Sequence, residues 1–416
     1  MEEKTSPWRV PRPRPESSVE NGEKKKKCRA PRQKKRPSAR RWAMYAPPQS
    51  GDNPNVYTPA TTFRVMSFNV LADYLVINDS KVEPAKRHQK YKWEYRRDGL
   101  VREILAYEPD IVCLQEVDHF EDFFEPKLQK AGFVGVYKRR TGETTHDGCA
   151  IFIKKSKCRI VSSHPIEYFV EDDPVLNRHN IALAAVVETI ERNSGSTPKR
   201  FVVANTHLLF NPGRGEIKIA QLDMLLNFLT TLRQQHNPML PVLLGGDFNL
   251  TPNSAIYHYL STGELNASGL RRHDISGQNM TKAARKAYLR DENDRSRHYG
   301  NGTALGKFNS HRADRGFRDF WPGTVYSHDF DFSSAYAQSP DKRCTGEPKF
   351  TIFHTTTKAA VDYIWFTRSS LHCHGVLELI PAGLLFVNGG ELPTMDHPSD
   401  HISLVADFSL RAPSAS

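Results

Sequence analysis

From Phe63 onward the chain alternates short apolar runs with amphipathic stretches. Phe63–Leu71 (FRVMSFNVL) predicts a strand. Apolar positions at 93, 100, 101, 104 and 105 share one helical face, and Pro109 stops that helix. Ile111–Leu114 predicts a short buried strand and 119–131 a helix. Strands follow near 133–138, 148–153, 181–188 and 200–206. A long amphipathic helix is expected over about Gly215–Arg233, a strand over Pro241–Leu244 and a helix over Asn253–Leu260. Val361–Phe366 and Ile402–Phe408 predict the last strands. Elements of both kinds alternate irregularly, with no repeat and no clean linker, which points to one α/β domain over 63–410 and a C-terminal tail over 411–416.

Two stretches lack this rhythm. Residues 1–62 carry 10 of the 27 prolines and almost no apolar periodicity, and are expected to be a disordered tail. Residues 263–318 are rich in Arg, Asn, Gly, Asp and Ser, and are expected to be a surface insertion, either lining an RNA path or merely solvated. Charge follows the same division. Residues 1–62 hold 15 basic and 6 acidic residues, a net of +9, and the other 354 residues hold a net of +2. The overall basicity therefore says nothing about the chemistry of the body. Residues 24–41 hold eleven basic residues and no acidic one, which fits a nuclear-import signal or an RNA-attracting patch, with a solvated tail as the bland reading. Glu2 and Glu3 argue against an organelle transit peptide. Placement in nucleus and cytoplasm is the expectation. No apolar run approaches the roughly 18–20 residues that span a bilayer, so no membrane association is expected. The six cysteines have no framework spacing, and several sit in apolar runs and read as reduced core thiols of an intracellular protein. His372-Cys373-His374 is too tightly spaced for a closed zinc site.

The informative residues are polar ones that interrupt or cap apolar strands: Asn69, Glu116, His207, Asp247, Asn249, Asp362 and the pair Asp400-His401. Groups at strand ends converge readily on one cleft. Asp, Glu and Asn are hard oxygen ligands suited to Mg²⁺, and an Asp beside a His supplies an oriented imidazole. Together they suit phosphoester hydrolysis, in which a divalent ion neutralises charge and lowers the pKa of the attacking water.

Seven segments carry a family resemblance: SFNVLAD (67–73), LQEV (114–117), DGCAIF (147–152), THLLFNPGRGEIK (206–218), GGDFN (245–249), VDYIW (361–365) and SDH (399–401). In this order they resemble the endonuclease/exonuclease/phosphatase superfamily over about residues 63–410. DGCAIF and HLLFNPGRGEIKIAQ are similar to the branch of carbon-catabolite-repressor-type deadenylases, Angel proteins and Nocturnin. TPNSAIY (251–257) and RRHDISGQ (271–278) are most similar to the short plant-type repressor homologues and Angel. The resemblance implies a four-layer αββα sandwich of two mixed sheets. It implies that Asn69, Glu116 and Asp400 serve a Mg²⁺ site that Mn²⁺ can also fill, and that Asp247 positions or deprotonates the water. Asn249 and His401 would contact phosphate, Asp362 would orient His401, and His207 would contact phosphate or leaving group. Asn211 and Pro212 would shape the nucleotide pocket. Arg178 and Asn180 are candidate phosphate contacts, with a surface ion pair as the alternative for Arg178. Asp147 also reads as an Asp-Gly turn.

The implied activity is a Mg²⁺-dependent 3′ exoribonuclease that shortens messenger-RNA poly(A) tails and releases 5′-AMP. The rivals are an RNA 2′,3′-cyclic phosphatase of the Angel type, a nucleotide phosphatase of the Nocturnin type and a catalytically dead RNA-binding protein. Two departures bear on this. Residues 1–62 cannot hold the leucine-rich repeats of the large deadenylase subunits, so any association with a CCR–NOT complex is expected to be loose. Those subunits also carry an aromatic five residues before the VDYIW aspartate, where Thr357 stands here, so adenine stacking is expected to be weaker or to come from elsewhere.

Overall fold

The computed structural model describes residues 40–45, 62–78, 89–190, 197–268, 270–278, 325–338, 346–354, 357–381, 383, 385 and 391–411. In chain order the strands are β1 (Trp42–Met44), β2 (Thr62–Asn69), β3 (Ile111–Gln115), β4 (Phe133–Arg139), β5 (Gly148–Lys154), β6 (Cys158–Glu167), β7 (Ile181–Thr189), β8 (Arg200–His207), β9 (Val242–Asp247), β10 (Glu264–Asn266), β11 (Val325–Ser327), β12 (Phe332–Ser334), β13 (Ile352–Phe353), β14 (Lys358–Ala359), β15 (Asp362–Thr367), β16 (Leu371–Leu377) and β17 (Leu404–Leu410). The helices are α1 (Asp73–Asn78), α2 (Trp93–Ala106), α3 (Glu125–Lys130), α4 (Gly215–His236), α5 (Ala255–Thr262) and α6 (Arg272–Ser276). One sheet runs β1-β16-β17-β2-β3-β5-β4 and the other β12-β15-β9-β8-β7-β6. Each is antiparallel except for one parallel pair, β2–β3 and β8–β9, joined by helical crossovers.

Period-2 alternation explains the layers. In β2, Phe63 and Val65 face the other sheet, whereas Met66 and Phe68 face α2. In β9, Leu243 faces inward, whereas Val242 and Leu244 pack under α4. On α4, Leu222, Leu225, Leu226, Leu229 and Leu232 form the buried stripe that covers the second sheet. On α2, Leu100 and Ile104 do the same for the first. The result is the expected αββα sandwich, with one core between the sheets and one beneath each helical layer.

Several expectations need correction. The folded body starts before Phe63. β1 pairs with β16, and Arg40, inside the tail, is buried at its side chain between Ser403, Leu377 and Glu103. An Arg in a basic, proline-rich run gives no periodicity, so nothing in the pattern marked it. Residues 263–268 and 270–278 of the supposed insertion are also packed: Leu265, Ala267 and Ile275 are buried against the α4 layer. The rest of that stretch, and residues 1–39, lie outside the described residues. The stretch 119–131 is helical as expected, opening with a π-helical turn, Phe120–Phe124, that leads into α3. β6 and β16 were not anticipated. β6 is an edge strand of alternating exposure whose exposed positions are Arg159, Val161, Ser163, Pro165 and Glu167. Cys113, Cys149, Cys158 and Cys373 are buried free thiols. Among the described residues no helix is long and apolar enough to cross a membrane.

Candidate active site

The rows facing between the sheets change character toward one end of the sandwich. Phe63, Val65, Ser67, Asn69 runs along β2; Phe201, Val203, Asn205, His207 along β8; Phe366, Ile364, Asp362 along β15. Each row turns from apolar to polar in the same direction. The first polar layer is knit together, with Gln115 Oε1 alone left unpartnered among its described side-chain atoms: Gln115 Nε2 donates to Asn205 Oδ1 at 2.7 Å and to Ser67 Oγ at 3.2 Å, and Asn205 Nδ2 donates to Leu114 O at 2.8 Å. The next layer is the site. Register places His207 opposite Asp247 and Asp247 opposite Asp362. Backbone shape helps: Gly246 has φ 156°, and a Cβ there would lie 2.2 Å from Thr206 O, so only glycine lets β9 approach β8 before Asp247. Glu116 and Asn249 hold φ of 56° and 52°, unusual for residues with side chains.

Asn69 Nδ2 donates to Glu116 Oε1 at 2.9 Å and to Asp247 Oδ2 at 3.0 Å, clamping carboxylates from the two sheets. Its Oδ1 accepts from Leu71 N, and Ala72 N donates to Glu116 Oε2, both at 3.0 Å. Glu116, His207 and Asp247 offer atoms within 4.8 Å of one another, as do Asp247, Asp362 and His401. His207 Nε2 and His401 Nε2 flank Asp247 Oδ2 at 3.6 and 3.7 Å. His401 Nδ1 meets Asp362 Oδ2 at 2.8 Å, and Thr351 Oγ1 donates to the same oxygen at 2.5 Å. Asn249 N donates to Asp247 Oδ1, and Asn249 Nδ2 donates to Leu208 O. Ser399 Oγ donates to Asn69 O and Arg96 Nη1 to Pro398 O and Val70 O, which ties the Asp400-His401 loop to the end of β2.

Burial, then Asp400 and Asp147, push the Glu116 carboxyl up to about 7. Burial, then Asp362, pushes Asp247 up to about 6. Burial lowers His207. Burial would lower His401 too, but Asp362, Asp400 and Asp247 raise it well above the ordinary imidazole value. A divalent cation fits this donor set. The oxygens are hard, the carboxylates are crowded beyond what the nearby histidines balance, and buried Asp362 Oδ1, Asp147 Oδ2 and His207 Nδ1 have no hydrogen-bond partner.

The softer candidates sit on adjoining loops. Asn180 is buried and donates to His207 O. Asn211 Oδ1 accepts from Gly213 N, and the Pro212 carbonyl accepts from Ser276 Oγ, so that loop is pinned. Arg178 turns its guanidinium to Asn177, beside His179. The structure also adds residues. Lys218 is buried and donates to Asn249 O at 2.5 Å and to Gln278 Oε1 at 2.9 Å, and burial pulls its ammonium down to about 7. Its signal was a cation on the apolar stripe of α4, four residues before Leu222. Thr351 and Arg140 left no such signal. Arg140 binds buried Asp147 at 3.3 Å and His179 O at 3.1 Å.

Residues 66–401 match the family model described as "Endonuclease/Exonuclease/phosphatase family". The chain belongs to this family. Protein angel homolog 2 of Danio rerio is 31% identical over 84% of this chain and 64% of its own length, so the chain spans less than two thirds of that relative. Carbon catabolite repressor protein 4 homolog 5 of Arabidopsis thaliana is 32% identical over 83% of this chain and 79% of its own length. Among solved structures, ANGEL2, a 2′,3′-cyclic phosphatase, in complex with adenosine-2′,3′-vanadate superposes with a TM-score of 0.69 at 30% identity, over 90% of this chain and 99% of that one. The human Nocturnin catalytic domain with bound sulfate superposes with a TM-score of 0.56 at 25% identity, over 91% and 100%. Enzymes of this family are typically divalent-metal-dependent hydrolases of nucleic acids or phosphates, and the acidic and histidine groups here suit that chemistry.

Proposed function

We propose that this chain is a Mg²⁺-dependent phosphoesterase acting at the 3′ ends of RNA, with opening of terminal 2′,3′-cyclic phosphates as its reaction. The observation that carries the reading is the polar end of the inter-sheet rows, where Asn69, His207, Asp247, Asp362 and His401 meet in a buried layer beside Glu116 and Asp400. Mg²⁺ or Mn²⁺ held by Glu116, Asn69 and Asp400 would neutralise phosphate charge and acidify the attacking water. The chain supplies the rest. His401, kept protonated by Asp362, donates to a phosphate oxygen. Asp247, with a carboxyl raised to about 6, is suited to take a proton from water near neutral pH. Asn249 has one amide proton left for phosphate, and His207 has an unpartnered Nδ1 for the leaving oxygen.

The cyclic-phosphate reading draws on the likeness to a 2′,3′-cyclic phosphatase holding adenosine-2′,3′-vanadate and on Thr357, which offers no ring for a terminal adenine. Poly(A) shortening is the second reading, favoured by the identity to a carbon catabolite repressor homologue. One assay separates them: matched oligoribonucleotides ending in a 3′-hydroxyl or a 2′,3′-cyclic phosphate, incubated in Mg²⁺. The first reading expects loss of the cyclic end with unchanged chain length, and the second a ladder with 5′-AMP. Neither product would overturn both.

A further inference from the structure

Four of the described large hydrophobic side chains that stand exposed lie in loops at the catalytic end: Phe169, Val170, Phe210 and Met395. Two of them are aromatic and held in place. Phe169 lies two residues beyond Glu167, at the end of β6, and continues the row that faces the other sheet. Its ring stacks on His179, centroids 4.6 Å apart and planes 13° from parallel. His179 is itself fixed, with Nδ1 2.8 Å from Thr141 Oγ1 and its carbonyl accepting from Arg140. Phe210 is 51% exposed, on a loop pinned on both sides by Leu208 N to Asp247 O, Leu209 N to Gln221 Oε1 and Gly213 N to Asn211 Oδ1. Asn180 joins the two loops, because Tyr168 N donates to its carbonyl and its Nδ2 donates to His207 O.

Cations accompany these rings. Arg140 and Arg178 both lie near enough to His179 to hold its imidazole below the ordinary value, after burial, which is the larger cause. Exposed rings interleaved with guanidinium groups are the physical signature of a surface for unpaired nucleotides: every base has a face that stacks, and the arginines meet the phosphates between. A duplex hides its base faces.

We propose that the Phe169–His179 stack and Phe210 form a base-stacking rim that takes the single-stranded RNA leading to the 3′ end held in the cleft, with Arg140 and Arg178 facing its phosphates. This rests on the reading of the cleft as an RNA 3′-end phosphoesterase. It also supplies base contacts that Thr357 does not.

The test is fluorescence anisotropy of the full-length protein in Mg²⁺ with an oligoadenylate of about twelve nucleotides, made resistant at its last linkage. Phe169→Ala and Phe210→Ala each raise Kd about five- to tenfold, and the losses multiply in the double variant. The slope of log Kd against log salt stays as in wild type, since no cation has been removed. Affinity for the same sequence in a duplex does not fall. Melting temperatures close to wild type confirm that the variants fold, as expected for exposed rings. A double variant within twofold of wild type, or one that loses duplex affinity equally, overturns the rim. Hydrolysis of adenosine 2′,3′-cyclic phosphate by wild type, measured alongside, keeps the two claims apart. Activity with unchanged oligonucleotide affinity in the variants refutes the rim alone, whereas a wild type inert on cyclic and 3′-hydroxyl ends alike refutes the reading of the cleft.

Discussion

Asp362→Asn keeps the shape of the side chain and removes its charge. In the native site Asp362 Oδ2 takes His401 Nδ1 at 2.8 Å and Thr351 Oγ1 at 2.5 Å, all three residues being buried. A hydrogen bond to a charged group contributes about 1.5–3 kcal/mol net, and breaking a buried pair costs about 3–5 kcal/mol. Asp247 and Asp400 still face His401 after the change, so the lower part of this range applies, about 2–3 kcal/mol. If the imidazolium is needed in the transition state, the rate falls roughly 30- to 150-fold. The pH profile must move as well. His401 titrates well above an ordinary imidazole, so its activity persists to high pH. Without Asp362 the alkaline limb slides down toward the ordinary value of about 6.5. Stability follows the same sign. The contribution of a raised His is complete below its unfolded pKa and is lost as pH rises through the folded one, so Asp362→Asn flattens that loss in metal-free melts. The assay is kcat/KM from about pH 5.5 to 9 for Asp362→Asn, His401→Ala and the double variant. The double should cost little more than either single. Fully multiplicative losses, or an unmoved alkaline limb in Asp362→Asn, would refute an imidazole governed by Asp362.

Glu116→Gln abolishes hydrolysis yet raises the melting temperature of chelated protein at pH 8. The carboxyl is raised from 4.5 to about 7, so its ionisation destabilises the metal-free fold as pH climbs from its unfolded value, and the gain should be much smaller at pH 5 and vanish below 4.5; equal gains at pH 8 and pH 5 would count against this. Chelation should abolish activity, with Mg²⁺ or Mn²⁺ restoring it and Ca²⁺ doing so poorly because of its longer bonds; full turnover after exhaustive chelation would exclude a metal role. Arg40→Met should destabilise by about 3–5 kcal/mol, because it strands Glu103 in a buried pair. Deleting residues 1–38 should leave melting and turnover on short substrates unchanged while weakening binding of long RNA at low salt; chemical denaturation and salt titrations check both.

Much of this protein was readable from its residues. Short apolar runs marked β2, β3, β5, β7, β8 and β9, which are buried on both faces, and helical periodicity marked α2 and α4, which bury one face. Polar residues at strand ends marked Asn69, Glu116, His207, Asp247 and Asp362, because a carboxylate or imidazole in such a place has no role in the core. Where packing is one-sided or local chemistry decides, the pattern went silent. Edge strands β1 and β6 need few apolar residues, and Arg40 is buried by partners more than 300 residues away at Leu377 and Ser403. Thr351, Lys218 and Arg140 hold Asp362, Asn249 and Asp147 by contacts made across a turn or between neighbouring elements, and residue type alone does not reveal such partners. The sequence by itself determined which polar groups stand at the strand ends that meet in the cleft. Only the tertiary structure decided how far each carboxyl is pushed from its ordinary pKa, since that depends on burial and on charges brought together across the two sheets.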